Sequence, residues 1–96
     1  MIDTLTASED ARSLHILWDT GDETKLPATY LRREARDAWT IRQKIDFGDV
    51  AVHDELQITA MHQVGPAGVN VHFSDGHDKA IYPFVYLREL SDKYGN

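Results

Sequence analysis

The chain contains no cysteine. That absence excludes disulfides, thiolate metal sites and cysteine nucleophiles together, and it leaves the cytoplasm as the expected compartment. No apolar run approaches the ~20 residues that a spanning helix needs, and no signal peptide is visible, so no membrane partner is expected. Basic residues are also scarce: 10 Lys and Arg stand against 16 Asp and Glu, for a formal net charge of −6. Phosphate binding needs a basic surface, so a nucleic-acid partner is not expected either. The sequence lacks a Gly-rich phosphate loop, a Ser-His-Asp set and a His-Glu-x-x-His helix. Carboxylates are plentiful, but none is paired at a spacing that singles out acid/base work. No enzyme and no bound cofactor are expected.

What is present specifies a fold better than an activity. The 96 residues, 42% hydrophobic and 27% charged, fit one globular domain over residues 1–96 with its core in about 13–93. The chain also spells one phrase twice. Trp18-Asp19-Thr20-Gly21-Asp22, then Leu26-Pro27-Ala28-Thr29-Tyr30-Leu31-Arg32, returns as Phe73-Ser74-Asp75-Gly76-His77, then Tyr82-Pro83-Phe84-Val85-Tyr86-Leu87-Arg88. The offset is 55 residues at the glycine and 56 at the proline.

Each copy reads as strand, turn, strand, proline and helix. Ser13 to Trp18 is apolar enough for a half-buried strand, and Val69, Val71 and Phe73 alternate with polar residues at a period of two. Gly21 and Asp75-Gly76 are turn signals. Pro27 and Pro83 each suit the opening of a helix, where the missing N–H costs nothing. Leu31, Ala35, Ala38 and Trp39 predict an apolar stripe on the first helix, and Phe84, Leu87, Leu90 and Tyr94 predict one on the second, with Gly95 closing it. Ile2 to Leu5 predicts an edge strand, Leu56 to Val64 a further strand, and Arg42 to Glu55 reads as a connection. The expected architecture is α+β: an antiparallel sheet of about five or six strands with two helices on one face, built from two hairpin-then-helix units.

Charge and histidine supply the candidate functional residues. Between Leu31 and Lys44 lie five basic residues (Arg32, Arg33, Arg36, Arg42 and Lys44) against Glu34 and Asp37, so that stretch carries +3 and the remainder −9. It reads as a solvated helix face with internal ion pairs, or as a dock for an acidic partner. Arg32 and Arg88, beside core leucines, are expected on helix surfaces pairing with acidic residues. Of the histidines, His15 and His72 read as sheet-face residues, while His77 follows the Asp75-Gly76 turn with Asp78 beside it. A turn histidine flanked by carboxylates has the chemistry of a metal ligand or a base, although turn geometry alone explains Asp75 and Gly76.

The run Phe73-Ser74-Asp75-Gly76-His77, with Ile81-Tyr82 and then Leu87-Arg88-Glu89-Leu90, resembles the gamma-butyrobetaine hydroxylase-like N-terminal domain family. The first half fits as well, through its Trp18-x-x-Gly21 turn, Leu26-Pro27 and Tyr30-Leu31-Arg32. The resemblance covers roughly residues 13–93. It implies a domain that precedes the iron- and 2-oxoglutarate-dependent catalytic domain of the hydroxylases, is appended to P-loop iron–sulfur carriers, or stands alone in bacteria. In the hydroxylases it implies zinc, held by three cysteines after the first Leu-Arg and by the histidine of Asp-Gly-His. Those places fall near Ala35, Asp37 and Thr40, and at His77. With the cysteines replaced, the expectation is a stand-alone, cysteine-less bacterial member of unknown function, without structural zinc and without hydroxylase activity.

Two functional expectations follow. One is a non-catalytic accessory or protein-interaction domain, with an iron–sulfur carrier or another metal-linked enzyme as partner. Its surface would be the Asp75, Gly76, His77 turn with Arg32, Arg33 and Arg36, and with Arg88 as a further contact. The other is a metal- or small-ligand-binding protein using His77 with Asp75 or Asp78 and Asp37, a weak donor set for a metal. Either a monomer or a homodimer through a sheet edge fits the pattern.

Overall fold

Each half of the chain folds into three antiparallel strands followed by a helix. In the computed structural model, which describes residues 2–94, β1 (Ile2–Ala7), β2 (Ser13–Trp18) and β3 (Glu23–Pro27) form one sheet in the order β1-β2-β3. β4 (Ile58–Val64), β5 (Gly68–Phe73) and β6 (Ala80–Pro83) form a second, in the order β4-β5-β6. Helix α1 (Ala28–Arg33) leaves β3, α3 (Phe84–Tyr94) leaves β6, and α2 (Ala38–Phe47) lies between the halves in sequence. Gly95, expected to close α3, lies outside the described residues. Among the described residues no helix is long and apolar enough to cross a membrane.

The two copies make the same backbone bonds. Trp18 N–H donates to Asp22 C=O (2.9 Å) and Gly21 N–H to Trp18 C=O (2.9 Å); Phe73 and Gly76 repeat both, with His77 C=O at 3.0 Å and Phe73 C=O at 3.1 Å. Gly21 and Gly76 sit at φ 91° and 88°, where a Cβ is strained, so glycine is required by each turn. After each proline the first helical N–H reaches back to the loop residue just before the middle strand of its own sheet: Ala28 to Arg12 C=O (2.7 Å) and Phe84 to Ala67 C=O (2.8 Å).

The expected single sheet is in fact two three-stranded sheets, with no strand pairing between them among the described residues. Alternation tells which side of a strand is buried, but not which strands are neighbours. What joins the sheets is a shared core. Leu14, Ile16 and Trp18 of β2, Val69, Val71 and Phe73 of β5, and Leu31, Leu87 and Leu90 of the helices belong to one buried cluster. Hydrogen bonds between the halves add direction to that burial. Ile58 N–H donates to Ala11 C=O (2.6 Å), and the Thr24 and Ser91 hydroxyls share a bond of 2.7 Å.

The helices also differ from expectation. The first does not run through to Trp39. It stops at Glu34, and a new helix starts after Asp37, whose extended backbone (ψ 158°) and carboxylate bonded to Thr40 N–H make it an N-cap. Leu31 and Ala35 are buried, but Ala38 and Trp39 are exposed. The segment from Arg42, read as a connection, instead continues α2 to Phe47, closed by Gly48 in the left-handed region at φ 82°. On α3, Leu87 and Leu90 are fully buried, Phe84 is half-buried, and Tyr94 is exposed against Tyr30.

Two tyrosines of the second half close the end of α1. The last carbonyls of a helix lack intrahelical partners. Tyr82 Oη donates to Leu31 C=O (2.5 Å) and Tyr86 Oη to Glu34 C=O (2.6 Å), and the two rings stack in parallel, 6.3 Å apart. Burial pushes the Tyr82 phenol far above its ordinary pKa, so it remains a donor at any working pH. Tyr82→Phe should therefore leave a buried carbonyl unsatisfied and cost about 1–3 kcal/mol in denaturant unfolding, against about 2–5 kcal/mol for Leu87→Ala through cavity formation.

Candidate functional site

The polar residues singled out by the sequence converge at the corner between α1 and α2. Arg32 leaves α1 toward the interior and is only 3% exposed, whereas a surface position was expected for it. A buried guanidinium needs partners for its fork of N–H donors. Nε donates to Asp75 Oδ2 (3.1 Å), Nη1 to Thr40 Oγ1 (2.7 Å) and Nη2 to Gln43 Oε1 (3.4 Å). These partners come from the β5–β6 turn and from α2, so one side chain ties three elements together.

A second branch continues from Thr40. Its hydroxyl accepts from Arg32 and donates to Asp37 Oδ1 (2.8 Å), while its N–H donates to Asp37 Oδ2 (3.1 Å). His77 Nε2 lies 2.9 Å from the same Asp37 Oδ1, and these two side chains are 7% and 9% exposed. With a carboxylate opposite it, Nε2 carries the proton and donates. Asp75 serves twice, since its Oδ1 also accepts the His77 N–H at 2.9 Å and shapes the turn. Burial on its own raises the Asp37 pKa, but hydrogen bonds from the Thr40 hydroxyl, His77 and the Thr40 N–H outweigh it and hold the carboxyl below its ordinary value.

The remaining candidates stand around this corner rather than in it. Arg33 is exposed at the end of α1. Arg36 lies over the Tyr86 ring (3.6 Å to the centroid) and reaches Glu89 at 3.7 Å, an exposed pair of small energetic weight. Arg88 is engaged elsewhere, pairing with Asp92 (3.5 Å) and lying over the Trp18 ring at 5.0 Å. Asp78 faces Lys79 on the surface at 3.8 Å. An open cleft of about 440 Å³ adjoins the corner, lined by Arg32, Trp39, Gln43, Gly76, His77 and Lys79.

Sequence reading placed His77, Asp75 and Arg32 together without their geometry; it met Thr40 only as the place of a replaced cysteine, without its hydrogen-bonding role, and it overlooked Gln43. The signal for Thr40 was present. Asp37 three residues before Thr40, with Gly48 beyond Phe47, brackets a helix by its N-cap and its left-handed closing residue.

The fold and corner define a small α+β domain of two sheet-and-helix halves, joined at one buried polar cluster. The chain belongs to the family described as gamma-butyrobetaine hydroxylase-like, N-terminal, whose model matches residues 5–88. Among solved structures it resembles a protein of unknown function from Acidithiobacillus ferrooxidans, of the DUF971 family. That likeness has 25% identity over 92% of this chain and 89% of the other, with a TM-score of 0.71. A second structure, determined in solution by NMR, is 26% identical over 97% of this chain and 70% of the other (TM-score 0.76). A third, at 19% identity (TM-score 0.73), shares the fold. No curated protein matches the chain.

In the hydroxylases the resemblance implies zinc at the places that match this corner, and the residues present here do not fit a zinc site. A structural zinc site needs four converging lone pairs. Here His77 Nε2 is a donor, both Asp37 oxygens already accept hydrogen bonds, and Thr40 is bonded on both sides. Ala35 has no donor atom, and the Arg32 guanidinium bonded to Thr40 would repel a dication.

Because the folded-state pKa of Asp37 is depressed, its contribution to stability is complete above the ordinary carboxylate range and is lost as pH falls through the folded value. Denaturant unfolding of wild type and Asp37→Asn should differ most at neutral pH and converge in acid. Parallel pH curves would rule out this role.

Proposed function

We propose that this domain is a protein-interaction module whose docking element is α2 with the adjoining arginines. The observation that carries the reading is the exposure of Trp39 (63%), Ile45 (77%) and Phe47 (80%) on a helix whose only buried residue is Thr40. Large apolar side chains grouped on one element are uncommon on a monomer's surface unless they bind something. Leu14, Leu31, Leu87 and Leu90, by contrast, are fully enclosed.

The chemistry of the partner follows from charge. Arg33 and Arg36 precede the helix, and Arg42 and Lys44 lie on it, in a chain whose remainder outside residues 31–44 carries a net negative charge. An acidic partner surface bearing an apolar pocket for Trp39 or Phe47 is complementary to that face, with steering from the charges and affinity from the aromatic anchors. In this reading Arg32 and His77 hold the helix through Thr40, Gln43 and Asp37, with Asp75 bonded to Arg32, and the exposed Gly76 and Arg33 are further contacts for the partner. An iron–sulfur carrier or another metal-linked enzyme, the partner class implied by the family resemblance, is the first to test.

Replacing both aromatics (Trp39→Ser with Phe47→Ser) should abolish capture of a specific partner from source-cell extract. Stability should change by no more than about 0.5 kcal/mol, as for exposed positions. Reversing Arg33 and Arg36 to Glu should slow association and weaken its salt dependence. If both variants retained the wild-type partners at wild-type affinity, α2 would not be the docking element.

A further inference from the structure

A surface helix ordinarily stays in place by burying an apolar stripe. Helix α2 buries one residue, Thr40, and that residue is polar. Its apolar side chains Trp39, Ile41, Ile45 and Phe47 are exposed instead. Among the described residues, side-chain hydrogen bonds reach α2 and its N-cap from the body through Arg32, to Thr40 and Gln43, and through His77, to Asp37.

We propose that the chain of contacts Asp75–Arg32–Thr40–Asp37–His77 is a metal-free clasp that holds α2 on the domain, taking the place of a bound ion at this corner. A metal would gather ligands from α1, α2 and the β5–β6 turn around one positive centre. The Arg32 guanidinium supplies that centre covalently: its positive charge faces Asp75 directly and Asp37 through the Thr40 hydroxyl. His77 closes the far end by donating to Asp37. No buried side-chain polar atom among the described residues is left without a partner, so the clasp is complete without a further ligand. Thr40 is its centre because a hydroxyl can accept from arginine and donate to aspartate at once. The clasp holds α2 whether or not a partner lands on the helix, so this proposal and the docking reading fail separately.

Hydrogen exchange on the full chain tests it. Thr40→Val keeps the shape and removes the hydroxyl, whereas Thr40→Ser keeps the hydroxyl. With Val, the amides of residues 41–47 should exchange about tenfold faster while those of β5 change much less; with Ser, α2 should stay near wild type. Arg32→Lys retains the charge without the fork and should loosen α2 as Val does. Protein purified without a tag and exposed to zinc should hold well under one zinc per chain by elemental analysis, and a chelator should leave its melting temperature unchanged. Equal exchange in the Val and Ser variants, or equal acceleration in α2 and β5, would overturn the clasp. Stoichiometric zinc bound through His77 would overturn the claim that the corner does without a metal.

Discussion

Burial of the Arg32 guanidinium is the constraint around which the rest is arranged. Withdrawing an ion from water costs several kcal/mol, so it persists only where charge and hydrogen bonds replace the lost hydration. Asp75, Thr40 and Gln43 provide that replacement. Because they stand on a turn and on a separate helix, satisfying one side chain sets the positions of three segments. Asp37 and His77 extend the same logic outward, and Tyr82 and Tyr86 close the carbonyls at the end of α1.

The two halves begin from nearly the same instructions and diverge through a few residues. Both turns use a glycine with positive φ and identical backbone bonds, and both helices leave a proline. At matching places, however, Leu26 stands against Tyr82 and Asp22 against His77. Tyrosine adds a hydroxyl long enough to reach the other half, and histidine adds a donor aimed at Asp37. Arg32 and Arg88 also match, yet one is enclosed and the other lies on α3 beside Asp92 and Trp18. The second half thus supplies Asp75 and His77, the two ends of the chain of contacts, and the first half supplies Arg32, Thr40 and Asp37 between them.

Helix α2, between α1 and β4, is the element that these contacts hold in place. Fastening it by polar contacts leaves its apolar side chains free of the core, which is the arrangement a docking helix needs. In a helix anchored by its own apolar stripe, the same residues would serve the fold and be unavailable for recognition.

The residues themselves determined the local structure: alternation in β2 and β5, glycine at the turns, proline before α1 and α3, and leucines at core spacing are near-neighbour effects that operate within a few residues. Asp37 and Gly48 belonged to the same class, and a reading by caps rather than by apolar stripe would have found α2. Tertiary structure alone decided that the strands form two sheets, since alternation carries no information about partners. It also decided that Arg32 and His77 turn inward. Whether a charged side chain is buried depends on finding complementary groups 43 and 40 positions away, at Asp75 and Asp37 respectively, and such pairings exist only once the chain has closed on itself.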